Sequence, residues 1–461
     1  MRVFREMMYL PTLMASSIAI GSSLCAACRT SIWPFDENSR LGGVPLSSYT
    51  ATDGRYFPGF IRQNFPGARR FEQEFGVLGE ARSGMKLIEI KQLSADKADS
   101  NEANLSWSID GAFLGFEVAA GSERKILVKD LAGQFSRELK VLPNARHNFL
   151  DGLVTSSAHS YNASLRWSRD STRFAFMSNG GTGDYGIYVG AVGAHDRAIA
   201  KSHAKDGYAS WSPKTNEMAF VSSRSGNGDV YLVDVATQGL KKLSRSDDVD
   251  LFPEWRPDGN GIVFCSGDAL NHDIVLVERL AAGEKWSAPI RMTEGVGDEL
   301  RPIVSPDGRL VAFYGTDRAL TEGGNPLWNI HVLPTGSVGV SGDDLAATVV
   351  ARDVVIDLNT GPAWTPDSRK LIFVKRDPTA FNPIYGYDLY AGRAYLFQTD
   401  TRLNRDIIMS PLGVLSFRAQ VGAWDKVFIA LTNQGIQLQS VPPPDAKVNY
   451  LAKGKSEKDW L

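Results

Sequence analysis

The sequence predicts an all-β protein, a closed β-propeller of four-stranded antiparallel blades, and three observations carry that prediction. The first is a repeated segment. Trp107-Ser-Ile-Asp-Gly, Trp167-Ser-Arg-Asp, Trp211-Ser-Pro, Trp255-Arg-Pro-Asp-Gly and Trp364-Thr-Pro-Asp-Ser are versions of one motif. Val304-Ser-Pro-Asp-Gly is a copy with the tryptophan replaced, and Met409-Ser-Pro is a degenerate seventh. Successive copies lie 60, 44, 44, 49, 60 and 45 residues apart, a period that belongs to repeat architectures. The second observation is a fixed offset. Nine residues after the Trp position stand Phe116, Phe176, Phe220, Phe264, Phe313 and Phe373, and the seventh copy supplies Phe417 after eight. The third is the division of each unit into four short apolar runs, the cadence of a propeller blade.

Each element of a unit follows from its residue types. A first strand ends at Trp. Ser-Pro-Asp-Gly then turns the chain, because proline presets φ, aspartate bonds the backbone ahead and glycine accepts positive φ. A second strand such as Arg309 to Phe313 returns, and a Gly/Asn-rich loop leads to a third, as in Asp229 to Asp234 or Asp273 to Val277. A fourth, such as Gly239 to Ser244, closes the unit. Trp and Phe recur at one place in every copy, which assigns them to packing between blades. The segment 84–93 precedes the first Trp and has strand character without a first half-blade. It is expected to complete the last blade and clasp the ring. Seven blades are favoured, with six as the alternative.

Composition narrows the function. The chain has 461 residues, too many for one ordinary core, with 50 Lys+Arg against 52 Asp+Glu and a formal charge of −2. That balance argues against a generic nucleic-acid binder. Three cysteines, Cys25, Cys28 and Cys265, exclude a disulfide scaffold and a four-thiolate zinc site. Cys265, alone on an apolar run, reads as a buried inert thiol.

Residues 1–27 have the pattern of a secretory signal: basic Arg2 and Arg5, an apolar stretch from Met7 to Leu24, then small residues. Ala26-Ala27-Cys28 resembles a bacterial lipobox, with Cys25 standing where leucine is usual. This resemblance implies an exported protein, periplasmic or an outer-membrane lipoprotein acylated on Cys28. Residues 28–83 read as a tether with one helix near Ala68 to Phe75, residues 84–440 as the propeller and residues 441–461 as a polar tail.

The motif W-S-P-D-G-x-x-[ILV]-[AV]-F followed by S-x-R-x-G-x-x-D-[IV]-Y, seen most completely at residues 211–234, resembles the repeats of TolB-like β-propellers. The resemblance covers roughly residues 84–440, without the α/β domain that precedes the propeller in TolB itself. It implies a non-catalytic envelope scaffold that binds a protein or peptide at one channel mouth. A monomer is expected, with no nucleic-acid partner and with membrane contact only through the N-terminal anchor. Catalytic signatures are missing: there is no G-x-S-x-G, no P-loop and no H-E-x-x-H.

Two constellations emerge at fixed offsets from Trp. Five residues before it stand Glu102, Asn162, Asp206, Asp250, Glu299, Asn359 and Asn404. At the start of the innermost strands they would ring one channel mouth and focus a negative potential there. The competing reading is local, in which each caps the turn into its own strand. Eight residues before Trp stand Asp99, His159, His203 and Asp247. Converging from adjacent loops, these could hold a divalent cation, although no cofactor is required by the scaffold reading. Propeller polysaccharide lyases are metal enzymes, so this set supports the alternative function, a metal-dependent carbohydrate lyase or hydrolase working in the channel. A glycan- or cation-binding module is the third reading.

Overall fold

The computed structural model describes residues 87–93, 99–120, 123–130, 152–153, 162–178, 185–191, 197–200, 202–244, 247–268, 271–280, 285–316, 326–346, 348–376, 382–389, 392–397 and 399–432. The signal segment 1–27, Cys28, the tether with its expected helix, the tail 441–461 and His159 lie outside the described residues.

Seven antiparallel sheets of four strands each make the propeller. Their innermost strands, blades 1 to 7 in order, are Asn101–Trp107, Asn162–Trp167, Asp206–Trp211, Val249–Trp255, Glu299–Val304, Ala363–Trp364 and Arg402–Met409. Six blades use consecutive strands. Blade 7 takes its outermost strand, Leu87–Gln92, from the N-terminal side of the ring, paired antiparallel to Trp424–Thr432. The seven-blade count and the expected clasp are therefore both present. One short helix, Gly342–Ala346, interrupts the β-structure among the described residues.

The repeated aromatics hold the blades. Each motif Phe is buried, and most face an aromatic ring on the third strand at a paired position. Phe220 lies opposite Tyr231, Phe176 opposite Tyr188, Phe313 opposite His331, Phe373 opposite Tyr385 and Phe417 opposite Phe428. Ring centroids are 5.2 to 6.3 Å apart, within the range of favourable aromatic pairs. The motif Trp also has a polar task. The indole N–H of Trp167 donates to the Ser106 carbonyl at 3.1 Å, that of Trp211 to Arg166, that of Trp255 to Ser210 and that of Trp364 to Ile303. Each acceptor is the residue just before the Trp position of the preceding blade. One side chain thus fills the seam and satisfies a carbonyl that the bulged inner strand leaves open.

The turn chemistry is as expected. Ser108 Oγ donates to Asp110 Oδ1 at 2.6 Å and accepts from the Phe113 amide, while Gly111 takes φ +71°. In two copies serine replaces that glycine and still adopts positive φ, at Ser171 and Ser368. Their hydroxyls accept the Asp110 and Asp307 amides of the preceding blade, which gives the strained backbone a compensating bond.

A further repeat is conformational. Three residues before the Trp position, Asn104, Ser164, Tyr208, Phe252, Arg301 and Asp406 all have φ between +51° and +56°, and Gly361 has +74°. A β-bulge lies there in the inner strands of the other six blades. Left-handed backbone costs a non-glycine residue about 1–2 kcal/mol. In return the bulge bends the strand and re-aims its side chains, here around the channel.

Candidate functional site in the channel

The polar ring at the start of the inner strands lies in the seams between blades. Glu102, Asp206, Asp250 and Glu299 are at most 3% exposed, and Asn404 is buried. Glu102 Oε2 accepts the Val427 amide of blade 7 at 2.8 Å, with Lys426 Nζ 3.6 Å from its other oxygen. Asp206 holds Arg224 at 3.1 Å, and Arg224 donates on to the Ala200 carbonyl of blade 2. Asn404 Nδ2 donates to the Asn382 carbonyl of blade 6. Glu299 accepts from Thr293 at 3.4 Å and lies against Asp273 of blade 4. Asp250 sits beside Ser244, Ser266 and the blade 3 residue Asp229. Glu102, Asp206, Glu299 and Asn404 meet partners that tie one blade to the one before it. Asn404 Oδ1 also accepts the Thr401 hydroxyl of its own turn at 2.6 Å, as the local reading expects. Asn359 contributes through its backbone, and the side chain of Asn162 lies outside the described residues.

Burial sets the protonation of these acids. It pushes Asp206 up to about 6 in spite of the attraction of Arg224. It pushes Asp250 up to about 7 and, with repulsion from Asp273, Glu299 up to about 9. Glu299 therefore carries its proton at neutral pH and shares it with Asp273, which is itself ion-paired with Arg291. At neutral pH the protonated Glu299 acts as a hydrogen-bonding group, while Asp206 stays largely ionised in its pair with Arg224.

Of the four residues at the outer offset, Asp99, His203 and Asp247 are each exposed. Among the described residues no three His, Cys, Asp or Glu side chains are grouped to hold a metal ion. Cys265 is fully buried, and burial pushes its thiol well above the ordinary range.

The channel itself contains a different set of side chains. A cavity between the inner strands of blades 2 to 5 is lined by Ser164, Arg166, Tyr208, Phe252, Glu254 and Arg301, with Ala209 and Pro253. Its enclosed volume is about 10 Å³, far below the roughly 300–1,000 Å³ of drug-sized sites. Arg166 and Arg301 approach from blades 2 and 5 and donate to one acceptor, the Asn359 carbonyl, at 2.6 and 2.9 Å. Glu254 Oε2 is 3.9 Å from Arg301 Nη1, and its side chain is 31% exposed to the channel. Tyr208 and Phe252 meet edge to face at 4.6 Å, and the Arg301 guanidinium lies over the Phe252 ring. Burial, then repulsion from Arg301, lowers Arg166 to about 10. Burial raises Glu254 against the attraction of both arginines.

Asn359 reaches the arginines because the inner strand of blade 6 is cut short to Ala363–Trp364. The preceding turn is held by Asp357, whose Oδ1 accepts the Asn359 and Thr360 amides. Burial, with Asp357 close by, pushes the Asp406 carboxyl well above the carboxylate range. Arg418 anchors Asp406 at 2.8 Å. On the next seam Glu117 accepts the Ser164 amide at 2.6 Å and pairs with Arg124 at 3.1 Å. The channel wall is thus a set of ordered charges, with its polar cavity on the side of blades 2 to 5.

Residues 151–320 match the family model of the TolB beta propeller domain. TolB from Acinetobacter baumannii aligns at 16% identity over 66% of this chain, with a TM-score of 0.42. The alignment spans 64% of that TolB chain, under two thirds of its length. An oligogalacturonate lyase in complex with manganese aligns at 12% identity over 76% of this chain and 94% of its own, with a TM-score of 0.52. The β-propeller domain of the Trilobed protease from Pyrococcus furiosus aligns at 11% identity over 72% of this chain and 95% of its own, with a TM-score of 0.46. At 12% identity the likeness to the lyase is one of fold. No curated protein sequence matches the chain.

Proposed function

We propose that this TolB-type propeller is a non-catalytic binding protein of the bacterial envelope, which takes a peptide segment of a protein partner into its channel. One observation carries the reading. The seven repeats are alike in their seams, but the channel wall departs from the repeat at Arg166, Tyr208, Phe252, Glu254 and Arg301, which meet at one cavity. Aromatic side chains with a few placed polar groups are the ordinary lining of a binding site. Its location in the envelope follows from the signal pattern of residues 1–27 and the lipobox-like Cys28.

The experiment is selection of displayed peptides on the full chain, followed by measurement on Glu254→Trp. That side chain lines the cavity and is 31% exposed, so the larger tryptophan would occupy it. Selected peptides should bind the variant at least about tenfold more weakly. Equal binding would place the site elsewhere. The alternative, a metal-dependent carbohydrate lyase or hydrolase, requires Asp99, His159, His203 and Asp247 to act together. A manganese titration monitored by melting temperature tests it, and no shift is expected.

A further inference from the structure

We infer that Arg166 and Arg301 form a monocarboxylate subsite within the channel, and that its occupant, on the partner reading above, is an acidic side chain or C-terminal carboxylate of the bound peptide. The inference rests on that reading for the source of the carboxylate and on the cavity geometry for the chemistry.

The two guanidiniums are undersupplied with acceptors. Each carries five N–H donors. Arg166 uses Nη1 on the Leu165 carbonyl and Nη2 on Asn359. Arg301 uses Nη2 on the same Asn359 oxygen. Its Nε is buried and meets no acceptor among the described residues, although the Arg301 side chain is only 7% exposed. Glu254, at 3.9 Å, lies beyond hydrogen-bond distance. Two cations therefore converge on a single neutral oxygen, where a carboxylate would offer two charged ones.

Charge and size select among anions. Among the lining side chains Arg166 and Arg301 are two cations against the one acid Glu254, an excess of one, with Glu117 and Asp357 also attracting Arg166 from outside the lining. A monoanion neutralises that excess, whereas a phosphate dianion would overshoot it. The repulsion from Arg301 that depresses Arg166 is relieved by the same monoanion. Phe252 holds the Arg301 guanidinium in place, its ring centroid 5.8 Å from Cζ, so the fork is oriented before the ligand arrives.

The test uses the full chain at low ionic strength and ligand-observed NMR. The probes are acetyl-tetraglycine with a free carboxylate, its C-terminal amide, acetyl-Gly-Gly-Glu-Gly-amide, galacturonate and inorganic phosphate. At least one carboxylate peptide should bind about tenfold or more tightly than the amide, the scale of a charge-assisted hydrogen bond. Arg166→Gln and Arg301→Gln should each remove that preference, and Glu254→Gln should strengthen binding by taking away the competing carboxylate. Melting curves show which variants fold, and either arginine variant alone suffices. Equal binding of acid and amide peptides, tighter binding of phosphate, or weaker binding by Glu254→Gln would overturn the subsite. If acid and amide bind equally and Glu254→Trp abolishes both, the subsite fails while the channel reading stands. If galacturonate binds through both arginines and neither acidic peptide does, the subsite stands and the peptide reading fails.

Discussion

Trp211 shows how one repeated residue serves two neighbours. Its ring is buried in the seam and covered by the Arg173 guanidinium 5.1 Å from the centroid, while its N–H reaches blade 2. Trp211→Ala should cost about 3–5 kcal/mol by creating a cavity. Trp211→Phe should keep most of the packing and cost additionally only about 1 kcal/mol for the lost bond to the Arg166 carbonyl. Chemical denaturation of the two variants checks both values, and an unchanged midpoint for Trp211→Ala would remove the motif Trp from the core.

Glu299 sets the pH dependence of a seam. Its carboxyl rises from 4.5 to about 9 on folding, chiefly by burial and then by Asp273. A raised carboxyl favours the folded state fully below the unfolded value. That advantage is lost as pH rises toward the folded value, because the unfolded chain releases a proton that the folded chain retains. Stability should therefore fall between about pH 4.5 and 9, with Asp250, raised to about 7, adding to the lower part of the slope. Glu299→Gln mimics the protonated form. It should melt higher than the parent at pH 9 and close to it at pH 5, a difference that thermal scans across the range will show.

At the scale of the element, the inner strand is defined by its left-handed bulge. In blade 6 that position is Gly361, where a Cβ would stand 2.6 Å from Ile303 Cγ1 and 3.2 Å from Arg301 Cγ. Gly361→Ala should destabilise by about 2 kcal/mol or more, through strain and overpacking, and should displace Arg301 from the Asn359 carbonyl. Ser164→Gly, at the equivalent position in blade 2, should be close to neutral because relief of strain offsets the added chain entropy.

The turns, the Trp–Phe spacing and the strands are legible in the sequence because each repeat performs the same structural work with the same residue types. The bulge is not. Asn104, Ser164, Tyr208, Phe252, Arg301 and Asp406 are ordinary residues in an unusual conformation, and only Gly361 hints at positive φ. For a related reason the repeated acids Asp206, Asp250 and Glu299 suggest a mouth but line the seams: a residue type that recurs in consecutive blades meets a need that recurs there. Arg166 and Glu254 stand one residue before the Trp position and Arg301 three before it, where other copies carry Ser106, Ser210 or Ile303 and Asn104, Ser164 or Gly361. No recurring residue type marks them until the fold brings them together.

For the whole molecule, closure depends on Leu87–Gln92 paired with Trp424–Thr432. A chain starting at residue 94 should leave that outer edge unpaired, melt at lower temperature and associate through the exposed strand. Size-exclusion chromatography with a melting curve tests this, and an unaltered monomer of unchanged stability would show that the clasp is dispensable. The envelope assignment makes its own prediction. The mature protein should begin at Cys28, and Cys28→Ser should move it from the membrane to the soluble envelope fraction; mass spectrometry that finds residues 1–27 retained would end the export reading.

We propose that the channel, rather than the rim or the blade edges, receives the partner. This is tested most directly by a crystal structure of the protein with a selected peptide bound. The account predicts density for the peptide between the inner strands of blades 2 to 5, with a carboxylate between Arg166 and Arg301. Density confined to the outer strands or to the loops around Asp99, His203 and Asp247, with the channel arrangement of Arg166, Arg301 and Asn359 unchanged, would contradict it.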